Sequence, residues 1–271
     1  MKLIILIAHF NNLEGLERSL LSINEPFNVD VLVVDDGSQT KPDIDRLHTI
    51  YKNGKIFLEL LPTNQGVGVA TNFGLKLIVE KKYELTGRLD CGDRVYPYKF
   101  AKQINYLIEN KEIKLLGTWV NMVDVNGGSL FILRHPVKYP KIRKQIFLNS
   151  TFVNSSTIYY TEILDKIGLF PEKYKRNGED YAFFFNVVEK FPCENLAEVL
   201  LDYEMNPNSL SSKGRKEQIK ARISIIKEHF YWGIYPVYGL IRSYILMYLS
   251  RDLITFLKKA VLFKKEKRKT L

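Results

Sequence analysis

Three pairs of acidic residues stand where carboxylates could do chemistry. They are Asp35 and Asp36 after the aliphatic run VLVV, Asp90 and Asp93 in RLDCGDR, and Glu179 and Asp180 in NGEDY. Carboxylate oxygens on a tight loop suit Mg²⁺ or Mn²⁺ held jointly by protein and diphosphate, and a carboxylate at a helix start can act as a general base. Each pair also has a plainer interpretation, as a strand-end turn, an ordinary DxxD turn or acids that stabilise a helix dipole.

The elements that must position these acids alternate between strand and helix. Aliphatic runs at Lys2–Ala8, Val29–Val34 and Ile56–Leu61 each end in a polar loop, and a helix is expected from about Val69 to Lys81. This pattern predicts an α/β fold with a single open, mostly parallel sheet and helices on both faces. Since ligands of such sheets bind beyond the carboxyl ends of the strands, Asp35 and Asp36 lie in the expected binding crevice.

The second half of the chain continues with shorter elements. The sequence predicts a fourth strand closing at Arg88–Asp93, a helix at Tyr98–Asn110, and two strands, Leu115–Val123 and Ser129–Leu133, around an NGG turn. Helices are expected at Tyr160–Gly168 and Asp180–Phe191.

The positive charge is concentrated at the C-terminal end. The net charge is +10, yet residues 213–271 carry 15 Lys/Arg against 4 Asp/Glu, and residues 1–212 carry 25 against 26. We therefore expect a catalytic domain over 1–212, with a nucleotide-binding half at about 1–95 and an acceptor half at about 96–212, and a basic helical extension over 213–271. A nearly neutral body excludes a groove-binding nucleic-acid enzyme.

The extension has an amphipathic pattern. At about 100° per residue, one face carries Ile245, Leu246, Leu249, Leu253, Phe256, Leu257 and Ala260, and the opposite side carries Arg251, Asp252, Lys258 and Lys259. The basic run Lys264–Lys269 follows, which suits a helix lying on an anionic membrane surface. The alternative is a helix packed on the domain with a basic end. Within this extension the longest uncharged stretch, 230–241, is too short to span a bilayer.

Other function classes find little support. Two cysteines, Cys91 and Cys193, fit a reducing compartment, and the N-terminus lacks the features of a signal peptide, so a cytoplasmic location is expected. Four scattered histidines argue against a zinc site, and no P-loop or GxGxxG motif is present.

Five segments occur in the order of a known family: LIILIAHFNN, VLVVDDGS, LPTNQGVGVATNFGL, LDCGD and NGEDY. Together they resemble the inverting glycosyltransferase family 2, which has the glycosyltransferase A fold. The resemblance covers about residues 2–212. It implies metal-dependent transfer of a hexose-type sugar from a UDP-sugar or dTDP-sugar, with Mn²⁺ or Mg²⁺, to a glycan or lipid-linked glycan in cell-surface polysaccharide biosynthesis. The expected location is the inner face of the cytoplasmic membrane, as a peripheral protein.

The resemblance also implies roles for individual residues. Asp180 would be the catalytic base, supported by Glu179, and Asp90 and Asp93 would bind the metal. The implied donor-binding residues are Ala8, Phe10, Asp35, Asp36, Asn64, Gly66, Thr71, Arg88 and Asp90. The implied acceptor contacts are Asn154, Ser155 and Ser156, for which strand-end capping is an equal alternative.

The chain departs from the family pattern at several positions. Gly92 stands where the family has a third acid, Ala8 and Thr71 where it often has Thr and Arg, and Glu204 and Asn206 where it has Arg and His. These departures keep open a catalytically inactive sugar-nucleotide-binding or scaffold protein of the same fold. A sugar nucleotidyltransferase is a further alternative, although AHFNNLEG is not the Gly-rich basic loop that such an enzyme needs.

Overall fold

The computed structural model describes residues 1–174, 177–205 and 214–249. Its strands are β1 (Leu3–His9), β2 (Asp30–Asp35), β3 (Ile56–Leu60), β4 (Leu85–Arg88), β5 (Arg94–Val95), β6 (Leu115–Val123), β7 (Ser129–Leu133), β8 (Ile158–Tyr160) and β9 (Cys193–Glu204). Its α-helices are α1 (Leu13–Ser22), α2 (Ile44–Ile50), α3 (Val67–Glu80), α4 (Lys99–Glu109), α5 (Tyr139–Gln145), α6 (Leu164–Ile167), α7 (Glu179–Lys190), α8 (Arg215–Glu228) and α9 (Ile234–Tyr248). Short 3₁₀ turns cover Asn154–Ser156, Thr161–Ile163 and Glu172–Tyr174.

All these strands belong to one sheet. Its order is β3-β2-β1-β4-β8-β6-β9-β5, and β7 pairs with β6. The four strands β1 to β4 are parallel to one another, as is β6 to β9. The pairs β4–β8, β6–β8, β6–β7 and β5–β9 are antiparallel. The predicted α/β sheet is confirmed, and its parallel part is concentrated in the half that carries the first two acidic loops.

The sheet separates two hydrophobic cores. Along β1, Ile4 and Leu6 point into one core with α3 and α7, whereas Leu3, Ile5 and Ile7 point into the other with α1 and α4. Because successive residues of a strand face opposite sides, a strand covered on both faces must be aliphatic throughout. This explains why the strands read as unbroken apolar runs.

Most predicted elements occur within one or two residues of their expected bounds, and the differences that bear on the site are the following. The fourth strand ends at Arg88, so Asp90 and Asp93 lie on the loop that follows it. The helix expected from Tyr160 is only the short α6, because Tyr160 belongs to β8, which pairs with β4 and β6. The long strand β9 was not predicted, because its few aliphatic residues stand among Glu194, Glu198 and Asp202.

Helices α8 and α9 pack on the body of the domain. Ala221, Ile225 and Ile226 of α8 join the core that contains α7. The Arg215 guanidinium donates to the backbone carbonyls of Leu246 and Leu249, which ties α8 to the end of α9. The predicted faces beyond Leu249 and the run Lys264–Lys269 lie outside the described residues. Among the described helices, none has the length and apolar content needed to cross a membrane.

Candidate functional site

Asp35 connects the ends of β1 and β2. Its fully buried carboxylate lies 2.7 Å from His9 Nδ1 and accepts hydrogen bonds from the Ser38 amide and hydroxyl. His9 Nε2 accepts from the Asn12 amide at 3.2 Å, so the imidazole proton lies on Nδ1 and is donated to Asp35. These contacts fix the loop after β1. In this structure Asp35 positions His9 and Ser38. Its predicted contact with the donor stays a prediction.

Asp36 holds the loop that precedes α3. Its two carboxylate oxygens accept from the amides of Gln65 and Gly66 at 2.9 and 2.8 Å. Gly37 has a φ of +72°, and a Cβ there would lie 2.4 Å from the Thr63 backbone. The DDGS turn and the PTNQG loop are therefore in direct contact, which explains why glycine is needed at position 37.

The rim of this crevice carries the other residues predicted to meet the base. Phe10 follows β1 and is 46% exposed, and Asn64 is exposed on the loop that Asp36 holds. Gly66 has a φ of +100° and caps α3, whereas Ala8 is half-buried against the core. Phe10 thus presents an exposed aromatic ring after β1, and its contact with a nucleobase stays a prediction.

Arg88 brings a buried positive charge to the end of β4. Its side chain is 1% exposed, Nη2 donates to Thr71 Oγ1 at 3.2 Å, and Nη2 lies 3.7 Å from Asp90 Oδ1. The guanidinium also lies 5.8 Å from the centre of the Phe170 ring. Among the described residues, Nε and Nη1 have no hydrogen-bond partner. Because a buried cation needs partners, this group suits an anionic ligand such as a diphosphate.

The loop after β4 treats its two aspartates differently. Asp90 is partly exposed, and its Oδ1 accepts from Asn154 Nδ2 at 2.9 Å. Asp93 is buried, and its oxygens accept from the Ser155 hydroxyl at 2.5 Å and the Glu204 amide at 2.9 Å. Burial first, and then the neighbouring Asp90, raise the pKa of Asp93 well above its usual range. Asp90 therefore keeps a partly exposed carboxylate, whereas Asp93 holds the loop in place through Ser155 and Glu204.

The predicted acceptor residues lie on the 3₁₀ turn behind this loop. Ser155 accepts from the Asp90 amide while its hydroxyl donates to Asp93. Ser156 is buried and donates to the Val153 carbonyl. Asn154 is half-buried and contacts Asp90. The structure thus brings Asn154 and Ser155 to the site and points Ser156 into the interior. Their contact with an acceptor stays a prediction.

Glu179 and Asp180 begin α7 and complete the site. Asp180 Oδ1 accepts from the Tyr181 amide at 2.7 Å, and Glu179 Oε2 is buried with no partner among the described residues. Burial and the Asp180 charge raise the pKa of Glu179 to about 8. Burial also raises the pKa of Asp180, Asp90 raises it further, and Arg88 opposes both shifts. Arg88, Asp90 and this acid pair therefore share one electrostatic environment.

The donor set at this point fits a metal ion only in part. Within the described ranges, no three His, Cys, Asp or Glu side chains are arranged to enclose an ion. Asp90 supplies one partly exposed carboxylate, and Asp93 already has a partner on each oxygen. Mg²⁺ commonly uses one or two carboxylates together with substrate oxygens and waters. The arrangement thus suits an ion shared between Asp90 and a diphosphate.

Two residues that support the site, Ser19 and Asn72, are not singled out by the sequence motifs. The Ser19 hydroxyl donates to the Asp93 carbonyl at 2.8 Å and accepts from the Gly92 amide at 2.9 Å. Asn72 exchanges two hydrogen bonds with the backbone of Phe170, which holds that ring beside Arg88. A lone serine in an amphipathic helix carries no distinguishing signal. Asn72 lies in ATNFG, within one of the five family-like segments, and this position is the sequence signal that could have identified it.

Comparison with solved structures supports the fold. TarS of S. aureus, solved as residues 1–349 with UDP-GlcNAc, superposes with a TM-score of 0.64 at 18% identity, over 88% of this chain and 69% of that one. A mannosyltransferase, PcManGT, of Pyrobaculum calidifontis, solved with GDP-Man and Mn²⁺, gives 0.61 at 12% identity, over 97% and 80%. At such low identity these matches establish the shared fold.

Comparison with curated proteins gives relatives of similar length. An uncharacterised glycosyltransferase, MJ1057, of Methanocaldococcus jannaschii is 25% identical over 243 residues, which is 85% of this chain and 82% of the relative. A UDP-Gal:alpha-D-GlcNAc-diphosphoundecaprenol beta-1,3-galactosyltransferase of Escherichia coli is 24% identical over 216 residues, covering 77% and 74%. The family model for glycosyl transferase family 2 matches residues 4–168. That match covers more than half of the chain, so this protein belongs to glycosyltransferase family 2.

Proposed function

We propose that this enzyme transfers a hexose-type sugar, with inversion, from a UDP-sugar or dTDP-sugar to a glycan or lipid-linked glycan acceptor in cell-surface polysaccharide biosynthesis. The observation that carries the proposal is the meeting of Arg88 and Asp90, at the end of β4, with Glu179 and Asp180, at the start of α7. The proposed diphosphate-binding pair, Arg88 and Asp90, would then act beside the proposed base, Asp180. The Escherichia coli relative, named for a UDP-Gal donor and a lipid diphosphate acceptor, supports the substrate class.

Asp180 is the proposed catalytic base. It takes the proton of an acceptor hydroxyl as that oxygen attacks the anomeric carbon, while the bond from this carbon to the diphosphate oxygen breaks. Direct attack on the face opposite the diphosphate inverts the anomeric configuration. A raised pKa suits the role, because a base works best when its pKa lies near the working pH. Glu179 adjoins Asp180, and burial together with the Asp180 charge raises the pKa of Glu179, which favours its protonated form.

Arg88 and Asp90 are proposed to stabilise the negative charge that develops on the leaving diphosphate. Two nitrogens of Arg88, Nε and Nη1, are buried without a hydrogen-bond partner among the described residues, in a position where electrostatic contacts are strong. Mn²⁺ or Mg²⁺ at Asp90 would neutralise part of the developing negative charge. We assign the direct metal contact to Asp90 and the support of that loop to Asp93, through Ser155 and Glu204.

The donor nucleotide is proposed to occupy the crevice beyond β1 and β2. Phe10 would stack on the base, and Asp36 would order the loop that carries Asn64 and Gly66. Thr71 would act through Arg88, to which it is hydrogen-bonded. Asn154 would meet the acceptor from the side of Asp90.

The proposed division of the chain into a domain and an extension follows the distribution of charge along the sequence. Residues 1–212 form the catalytic domain, with the donor half at about 1–95 and the acceptor half at about 96–212. Residues 213–271 are the basic extension, which we propose to hold the enzyme on the inner face of the cytoplasmic membrane, next to lipid-linked acceptors.

A panel of nucleotide sugars with Mn²⁺ or Mg²⁺ and candidate acceptors tests the function. Release of nucleoside diphosphate should depend on acceptor and disappear with EDTA. Asp180→Asn should abolish transfer while calorimetry still detects donor binding. Asp45→Asn is the matched control, because Asp45 is also an acid in the first turn of a helix but lies exposed on α2.

The outcomes separate the alternatives. Wild-type turnover that survives in Asp180→Asn would refute the base assignment. Failure of the wild type to bind any nucleotide sugar, with or without metal, would identify an inactive scaffold instead. Formation of a nucleotide sugar from a sugar phosphate and a nucleoside triphosphate would identify a nucleotidyltransferase.

A further inference from the structure

Helix α9 is fixed to the domain by one face of small residues. Pro236, Gly239 and Ser243 are buried on that face, and a Cβ at Gly239 would lie 2.2 Å from the Phe147 carbonyl oxygen. Arg242 Nη1 donates to the Leu148 carbonyl at 2.6 Å. The helix therefore sits in one orientation, in direct backbone contact with the segment after α5.

The opposite face of α9 carries an apolar stripe that faces solvent. The stripe consists of Ile234, Tyr238, Ile241, Ile245 and Tyr248, all exposed. Their spacing of four and three residues keeps them within an arc of about 80° along a helix about 22 Å long. Trp232, just before the helix, is 89% exposed. Large apolar side chains gathered on one exposed face mark an interaction surface.

The chemistry of the stripe and of its surroundings favours a lipid surface. Tyr and Trp stand near its two ends, and such side chains prefer the boundary between headgroups and acyl chains. The sequence directly after the helix, residues 250–271, contains eight Lys/Arg and two Asp/Glu. Positive charge that follows an apolar helix in the sequence complements an anionic leaflet. A second copy of the chain would bring the same positive charge and no such complementarity.

We propose that the α9 stripe, together with Trp232, lies in the headgroup region of an anionic membrane, with the helix axis parallel to the surface. The small-residue face stays against the domain, so the helix docks as a fixed part of the enzyme. This inference rests on the membrane location proposed above and assigns it to α9. Because it is tested without donor or acceptor, its failure is distinguishable from a failure of the proposed sugar transfer.

The test measures co-sedimentation of the full chain with vesicles of phosphatidylcholine alone or mixed with phosphatidylglycerol. The double variant Ile241→Gln/Ile245→Gln removes the centre of the stripe, where both residues are 53% exposed. The matched control is Leu21→Gln/Ile108→Gln, which changes apolar residues of α1 and α4 that are 63% and 51% exposed. Circular dichroism melts confirm that both variants fold, and sedimentation velocity without lipid gives the mass of each.

We expect the wild type and the control to pellet with the phosphatidylglycerol vesicles, and the stripe variant to lose at least about tenfold in partition. Equal pelleting of the stripe variant and the wild type overturns the proposal, as does equal loss in the control. A wild-type dimer that the stripe variant converts to a monomer, without vesicle binding by either, also overturns it and identifies a second copy as the occupant.

A second measurement reports on the position of the helix directly. The chain contains two tryptophans, so Trp119→Phe leaves Trp232 alone. Its emission should shift to shorter wavelength, and its quenching by acrylamide should fall, when phosphatidylglycerol vesicles are added. An unchanged spectrum in a sample that pellets with the vesicles would show that another part of the chain binds lipid, and would overturn the assignment to α9.

Discussion

Asp93→Asn separates the two aspartates of the loop after β4. Asn has the shape of a protonated Asp, so its carbonyl can accept from the Glu204 amide and its NH₂ can point at Ser155 Oγ. At most one neutral hydrogen bond is lost, which should lower the free energy of unfolding by about 1 kcal/mol. For 271 residues this corresponds to a fall in melting temperature of about 2 °C. Asp93→Ala instead leaves two buried donors unpaired. This should lower the free energy of unfolding by about 2–6 kcal/mol and the melting temperature by about 4–10 °C.

The pH dependence of the Asp93 variant has a definite sign. Because burial raises the pKa of Asp93, the folded protein holds this proton more tightly than the unfolded chain. The group therefore stabilises the fold at low pH, and its contribution is lost as the pH rises from the unfolded toward the folded pKa. Asn does not titrate there. The difference in melting temperature between wild type and Asp93→Asn should shrink as the pH rises, measured in EDTA.

Donor binding decides whether the assignment of the two aspartates is correct. Calorimetry with UDP and Mn²⁺ should show little change in Asp93→Asn and a loss of about 10- to 100-fold in Asp90→Asn, which removes a charged ligand. The reasoning is refuted if Asp93→Asn loses metal-dependent affinity as strongly as Asp90→Asn. Equal melting temperatures of Asp93→Asn and Asp93→Ala would refute the hydrogen-bond account.

Three further predictions concern the rest of the site. Asp36→Asn should destabilise the fold by about 1.5–3 kcal/mol in urea unfolding, since one carbonyl must replace two acceptors for the Gln65 and Gly66 amides; an unchanged midpoint would contradict this. The kcat/KM of the wild type should rise with pH along a limb above the usual carboxyl range, because burial raises the pKa of Asp180 and the base must be ionised. Arg88→Met should weaken UDP binding and move that limb to higher pH, because the Arg88 charge lowers the pKa of Asp180 and Glu179; a shift to lower pH would disprove the electrostatic link.

The parallel part of the fold could be predicted because the residue types in its strands depend directly on their burial. A strand buried on both faces must be aliphatic, so β1 and β2 were visible as unbroken runs that stop at polar loops. The same rule placed Asp36 at the edge of the sheet. The two bonds from Asp36 to the loop before α3 could not be predicted, because they depend on how two loops approach each other in space.

The contacts that hold the loop carrying Asp90 could not be predicted for a similar reason. Asp93 depends on Glu204, at the end of β9, which is 111 residues away along the chain. The strand β9 pairs with β6 through two register shifts and has Glu194, Glu198 and Asp202 among its aliphatic residues, so its pattern lacks the alternation or apolar run that identifies a strand. The sequence could indicate that Asp90 and Asp93 form a site, and only the packing of β9 shows that they do different work.

Two departures from the family pattern, Gly92 and Glu204, meet in space. A Cβ at Gly92 would lie 3.8 Å from Glu204 Oε1, and Glu204 is paired with Arg18 at 3.0 Å. An acid at position 92 together with Arg at 204, as in the family pattern, would place opposite charges side by side. With Glu at 204, an acid at 92 would bring two carboxylates into contact, which is unfavourable in a partly buried site. Gly92 also has a φ of +108°, which favours glycine, so in this chain the carboxylate beside the loop after β4 comes from Glu204 of β9.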